Sequence, residues 1–302
     1  MLDLSHLPTG YGAADVQIFN LADSQWHLWS KPRGKSMCFM FLVGGGAGGG
    51  GGFSAAAGNA RGGGGGGGGA PLTRALFPLV VLPDRLFVLV GAGSVGVTSG
   101  TAVVGALSYA SVYPDPGVTN VVMVSGGSGP GGGQTGTGVG VGAGGAGGSI
   151  FSSTFGGFAN LGIFLAVSGN AGAAGGAQSG LDGTDKIFTT GQLTMGGPGG
   201  AGTTSADFIG GAITAVANSL ISDYMPAKPA AGSFDGSGGF LLRAPSAPWY
   251  SYCGLGGSAS NAGVGGNGGN GGPGSGGGGG GGGTTGGRGG DGGQGFVAII
   301  CW

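Results

Sequence analysis

Residues 265 to 297 divide into triplets without remainder: GGN GGN GGP GSG GGG GGG GTT GGR GGD GGQ GFV. Every first position, from Gly265 to Gly295, is glycine. Asn267, Asn270, Pro273, Thr285, Arg288, Asp291 and Gln294 hold the third position, with Ser275, Thr284 and Phe296 as second-position exceptions. A period of three belongs to the left-handed extended helix, which has about 3 residues per turn and a rise of ~3.1 Å per residue. That helix makes no hydrogen bonds within itself, so its N–H and C=O groups must find partners on neighbouring chains. Gathering the side chains on one edge leaves the other two edges bare, and bare edges allow close backbone approach. Collagen shares the period but needs abundant proline, and this tract holds only Pro273. The triplets therefore predict extended threefold helices over 265 to 294, packed against other glycine segments and turning near Gly276 to Gly283.

Composition makes the same demand on the rest of the chain. Glycine accounts for 87 of 302 residues, against a usual share of ~7%. Glycine loses more backbone entropy on folding than any other residue, so an ordered chain of this kind needs dense backbone pairing. Disordered chains combine low hydrophobicity with high net charge. This one is 40% hydrophobic and 7% charged, with net charge −1. It offers no basic stripe for nucleic acid. The most apolar stretch, Ala75 to Val90, is interrupted by Pro78, Pro83, Asp84 and Arg85, which argues against membrane insertion. The start, Met1 to His6, lacks the basic and apolar segments of a secretory signal, so synthesis in a host cytoplasm is expected. Cys38, Cys253 and Cys301 are too scattered for a disulfide scaffold or a zinc knuckle and read as small buried hydrophobes.

Along the chain, residues 1–43 read as β material and an attachment candidate. Val16, Ile18, Trp26, Leu28, Phe39, Phe41 and Val43 fall at strand spacing around a Pro32-Arg33-Gly34 turn. Residues 44–302 read as a glycine-rich domain with an insert at about 203–253. Phe208, Ile209, Ala212, Ile213, Val216, Leu220 and Ile221 recur at helical spacing, with Pro226 as a stop, and predict a short α-helix over Asp207 to Met225. The expected fold class is thus mainly β and irregular: short strands, a lattice of packed polyglycine II-type extended helices, and one short α-helix. Met37 to Val43 and Phe296 to Trp302 abut glycine blocks at opposite ends of the chain, and they are expected to meet and seal the lattice base.

Candidate chemistry is sparse. Phe87 to Val90 followed by Gly91-Ala92-Gly93-Ser94-Val95-Gly96 matches strand plus G-x-G-x-x-G, and Asp115 follows somewhat beyond the spacing of a ribose-binding acid. That makes a dinucleotide-binding enzyme a remote alternative, because Val97 to Val104 does not read as the helix such a site needs. Gly34-Lys35-Ser36 resembles the end of a P-loop, but Trp29 stands where the first glycine belongs. His6 and His27 lack neighbours at metal-ligand spacing. No catalytic residue, cofactor site or metal site is expected. Aromatic residues in the interruptions are the binding candidates: Trp249, Tyr250 and Tyr252 in the insert, with Tyr109 and Tyr113 beside the Pro114 turn. The alternative reading of all five is that they cap the ends of the lattice.

Trp29, the Met37–Val43 strand, the block GGGAGGGGG after it, Arg61 with eight following glycines, LVGAG at 89–93 and the closing GGRGGDGGQGFVAIICW together resemble glycine-rich phage structural proteins. They particularly resemble tail-fibre tip adhesins with a polyglycine-helix sandwich, over most of residues 25–302. It implies a non-enzymatic virion protein whose loops at one end meet a host cell-surface receptor, with an N-terminal region docked on other virion proteins. A capsid decoration or head-fibre protein using the lattice as a stiff spike is the alternative. An ice-binding protein would need a flat face of small residues, which Asn, Arg, Asp and Gln do not supply.

Overall fold

The computed structural model describes residues 14–117, 119–150, 162–187, 193–214, 227–244 and 247–302. It divides lengthwise into a base of two β-sheets and a body of extended glycine segments. The five-stranded sheet has the order β1 (Asp15–Phe19), β13 (Phe296–Cys301), β3 (Met37–Val43), β4 (Leu72–Pro78), β8 (Ile163–Val167). The four-stranded sheet has the order β2 (Trp26–Ser30), β5 (Arg85–Leu89), β6 (Tyr109–Ser111), β7 (Val121–Val124). Every pairing in both sheets is antiparallel.

The strands follow from period-2 patterning. On β3, Cys38, Met40 and Leu42 face inward, and Val297, Ile299 and Cys301 do the same on β13. They meet Trp29, Leu86, Val88, Ala110 and Met123 from the other sheet in one buried cluster. The alternate residues Phe41, Val43, Phe296 and Ala298 form a second cluster on the opposite face. Both faces of β3 and β13 are thus apolar, which explains their near-continuous hydrophobic sequence. The two terminal apolar strands do meet, residue against residue from Phe296 opposite Val43 to Cys301 opposite Cys38.

Beyond the base the strands run straight into glycine segments. β3 continues as 44–53 and β5 as 91–98, while β4 is entered from 62–71 and β13 from 286–295. These segments pair through backbone on several sides. Gly62, Gly65 and Gly68 donate to Thr137, Gln134 and Gly131. Gly63, Gly66 and Gly69 donate to Gly176, Ala173 and Asn170, and Gly64, Gly67 and Ala70 to Gly280, Gly277 and Gly274, all at 2.7–3.1 Å. Each donor set advances by three residues, the period of the extended helix. Within the triplet tract, Gly265, Gly268, Gly271 and Gly274 donate to the carbonyls of Thr285, Arg288, Asp291 and Gln294. The third-position residues Asn267, Asn270, Thr285 and Gln294 are exposed. The asparagines also close the sheath: Asn267 Oδ1 accepts from the Arg288 N–H and Asn270 Oδ1 from the Asp291 N–H, each at 2.8 Å.

Two sequence expectations are corrected. The tract reverses at Pro273–Gly274, where Gly274 has φ +71°, and again at Thr284–Thr285, rather than inside Gly276–Gly283. The uninterrupted glycines are the straight part, because bare edges are needed where neighbours crowd. The expected fold class also fails in its helical part. Phe208 bridges antiparallel to Ala259, and β10 (Ile213–Thr214) pairs parallel with β9 (Lys186–Ile187). Residues 215–226, the rest of the expected helix, lie outside the described residues. Among the described residues the chain is mainly β, and its helical content is one 3-10 turn at Leu79–Val81. The reason is tertiary: a Cβ on Gly210 would sit 2.0 Å from the Gly256 carbonyl oxygen. Backbone pairing between extended segments claims the groups that a helix would have used internally.

Candidate binding surface

The ends of the glycine segments away from the base are joined by short turns, and those turns bond to one another. Ser54 bridges to Gly283, Arg61 to Thr203, Leu181 to Gly202 and Thr101 to Gln134. Gln178 donates to the Val139 carbonyl and Thr204 to the Gln178 carbonyl. The turns form one continuous tip.

Arg61 is the fastener. It is fully buried, and its guanidinium donates to the carbonyls of Asn59, Ser260 and Asn261 and to Asn261 Oδ1. Asn261 in turn donates through its backbone N–H to Asp207 and through its amide to the Ser205 carbonyl. Burial lowers the Arg61 pKa and Asp207 opposes that shift. An arginine starts so high that it stays charged in any case. One side chain thus ties together the turns around 59, 204 and 261.

Beside this knot lies an open groove of about 490 Å³, lined by Phe53, Ser54, Thr98, Thr101, Gln134 and Thr137 among others. Its lining is glycine, hydroxyls, one amide and one half-buried aromatic ring, with no charged side chain. It offers hydrogen-bond donors and acceptors around an apolar wall, a combination that fits a neutral polar ligand. At the opposite end, the turn between β2 and β3 borders a second groove of about 720 Å³ with Lys31, Arg33 and Lys35 on one side and Asp84 on the other. Lys31 bridges to Asp84 at 3.8 Å and donates to the Leu82 carbonyl.

The aromatic candidates do not form one surface. Tyr252 is fully buried, stacked on Phe240 with ring centroids 4.7 Å apart, among Met195, Leu255 and Cys253. It offers a partner no surface and serves as core. Trp249 and Tyr250 lie on β12 (Ala247–Ser251), which pairs with β11 (Leu241–Ala244), Tyr250 opposite Leu242. Tyr109 stands on the four-stranded sheet beside Trp26, half-buried, and burial raises its pKa. Tyr113 is well exposed, at 64%, and it sits on the base rather than the tip. Sequence reasoning missed the groove residues because threonine, serine and glutamine in glycine-rich turns look like ordinary turn chemistry. The available signal was positional, since these residues interrupt the glycine blocks at the ends away from the apolar strands.

The nucleotide-like Gly91–Gly96 run is a lattice segment. A Cβ on Gly93 would lie 2.1 Å from the Gly292 oxygen, and Arg288 and Asp291 bond the Gly96 carbonyl and N–H. The residues after it are extended and turn, with no helix to receive a pyrophosphate. No protein-family model matches the chain, and comparison with curated proteins finds no match either.

Proposed function

We propose that this chain is a non-enzymatic virion protein of a bacteriophage, a tail-fibre or fibre-tip adhesin that recognises a host surface through its tip turns. The supporting observation is the division between an inert body and a pinned tip. The body spends its backbone on pairing and presents little side-chain chemistry, whereas the tip gathers the polar turns around Arg61 and beside the Phe53 groove. Loops on a rigid scaffold are the common location of recognition. The cationic turn at Lys31 to Lys35 lies at the other end, where attachment to the rest of the particle is required. The resemblance in sequence to glycine-rich phage adhesins supplies the biological setting.

The test is binding of the purified, labelled chain to a panel of bacterial strains. Phe53→Ala with Thr137→Ala should abolish binding to the strain recognised by the parent while leaving the melting temperature unchanged. A folded double variant that still binds removes the groove from the reading. A chain that binds no strain and localises to the capsid in labelled particles replaces the adhesin with a head-fibre or decoration protein.

A further inference from the structure

Cys38 and Cys301 stand opposite each other on adjacent antiparallel strands. Met37 and Trp302 exchange both backbone hydrogen bonds, at 3.0 and 3.1 Å. The next pair along the ladder, Cys38 with Cys301, is therefore the non-hydrogen-bonded kind, whose Cα atoms stand roughly 4.5 Å apart with side chains on the same face. Disulfides accept Cα separations of about 4.4–6.8 Å. Both side chains point into the same buried cluster, and both residues have zero exposure. The third cysteine, Cys253, lies in a different cluster with Tyr252 and Leu255.

We infer that Cys38 and Cys301 form a disulfide that closes the chain into a covalent ring around the whole glycine body. The residues between them include the glycine segments, so the bond ties β3 to β13. The reaction needs a two-electron oxidant, and a low-molecular-weight disulfide supplies it. One cysteine thiolate attacks the small disulfide and expels a thiolate; the second attacks the resulting mixed disulfide and expels another. Two protein thiols become one disulfide, the small disulfide is reduced to two thiols, and the two protein protons pass to the leaving groups. In the folded protein the reaction is slow. The hydrogen bond with Cys301, and then burial, hold the Cys38 thiol protonated, and only the thiolate attacks. The bond therefore forms during folding or on transient opening of β13. In the chain-entropy view a cross-link stabilises more the longer the loop that it closes, and this loop spans nearly the full chain.

The full-length protein is unfolded and refolded in a buffer of oxidised and reduced glutathione, and in reducing buffer alongside. After oxidising refolding, denatured thiol counts should fall from three to one, the cysteine total being 3. Peptide mass spectrometry should show Cys38 joined to Cys301. The melting temperature should exceed that of the reduced protein by about 10 °C, and dithiothreitol after denaturation and refolding should remove the gain. Cys253→Ala should keep the linked peptide. Retention of all thiols or a linkage through Cys253 overturns the inference. The mass-spectrometric reading uses the unaltered chain, so no variant has to fold for the decision.

Discussion

The Arg61 guanidinium donates to Asn261 Oδ1 at 2.6 Å across a sequence separation of 200 residues. The contact joins the start of the glycine block at 62–69 to the last part of the chain at the tip. Arg61→Met keeps much of the side-chain volume but leaves the carbonyls of Ser260 and Asn261 without their donor. Loss of a buried charge-assisted set of this kind costs about 2–4 kcal/mol. The expected result is a lower denaturation midpoint together with earlier proteolytic nicking in the 54–61 and 203–208 turns. Arg61→Lys should rescue little, because an ammonium cannot span the same fork of acceptors. A full rescue by lysine would show that charge alone fastens the tip.

Gly268→Ala and Gly289→Ala should each prevent folding or lower the melting temperature severely. A Cβ at these positions would lie 2.0 Å from the Gly278 oxygen and 2.1 Å from the Gly49 oxygen. Both obstacles are backbone and cannot rotate away. Asn270→Ala, on the exposed edge, loses one bond to the Asp291 N–H and should cost about 0.5–1.5 kcal/mol. Soluble yield and thermal melts of the three variants separate the faces of the triplet. Equal behaviour would refute the close approach.

Tyr252→Ala and Tyr113→Ala should differ in the same way. Tyr252 is enclosed and stacked on Phe240, so its truncation should cost about 3–5 kcal/mol. Tyr113 is exposed, and its truncation should stay within about 0.5 kcal/mol. Urea denaturation measures both. A neutral Tyr252→Ala would return that residue to the list of contact candidates.

Stability should decline in alkaline solution, and Cys253 should account for part of the decline. Burial pushes its thiol up to about 12 from an ordinary 9.0. The folded chain therefore holds this proton where the unfolded chain has released it. Its contribution is complete below about pH 9, and it is lost as pH rises from there toward about 12. Lys186, lowered by burial, works in the opposite sense, since folding favours its neutral form as pH rises. Comparing urea midpoints of the parent and Cys253→Ala from pH 8 to 11 isolates the cysteine. The variant should lose less stability over that interval, and parallel curves would contradict the assignment.

The strands of the base were legible because Phe39, Phe41 and Val43 fall at strand spacing and Phe296 to Trp302 is a short apolar run beside a glycine block. The third-position asparagines were legible as an outer edge for the same kind of reason: a fixed period places residues on a fixed side. The segment from Asp207 was misread because helical spacing of apolar residues does not register what surrounds the backbone. Gly210 faces Gly256 at a distance that only an extended, side-chain-free segment permits. Among the aromatic candidates, Tyr252 was misread through composition. Tyr252 looks like a surface residue in a polar insert, yet strand pairing carries it under Phe240. The role of Arg61 was hidden because its partners, near 204 and 261, are brought to it only by folding.

Because residues 62–70 serve their neighbours in rotation, their length counts in threes. One inserted residue would turn everything beyond it by about 120°, presenting each following donor to the wrong neighbour and each following side chain to a backbone. An insertion of three would restore the facing and cost only the displacement of a turn. The exposed turn residues at 56–59 and 98–101 obey no such arithmetic, since they meet solvent. A lineage carrying this architecture is free to lengthen or shorten those exposed turns while its glycine blocks change by whole triplets or not at all.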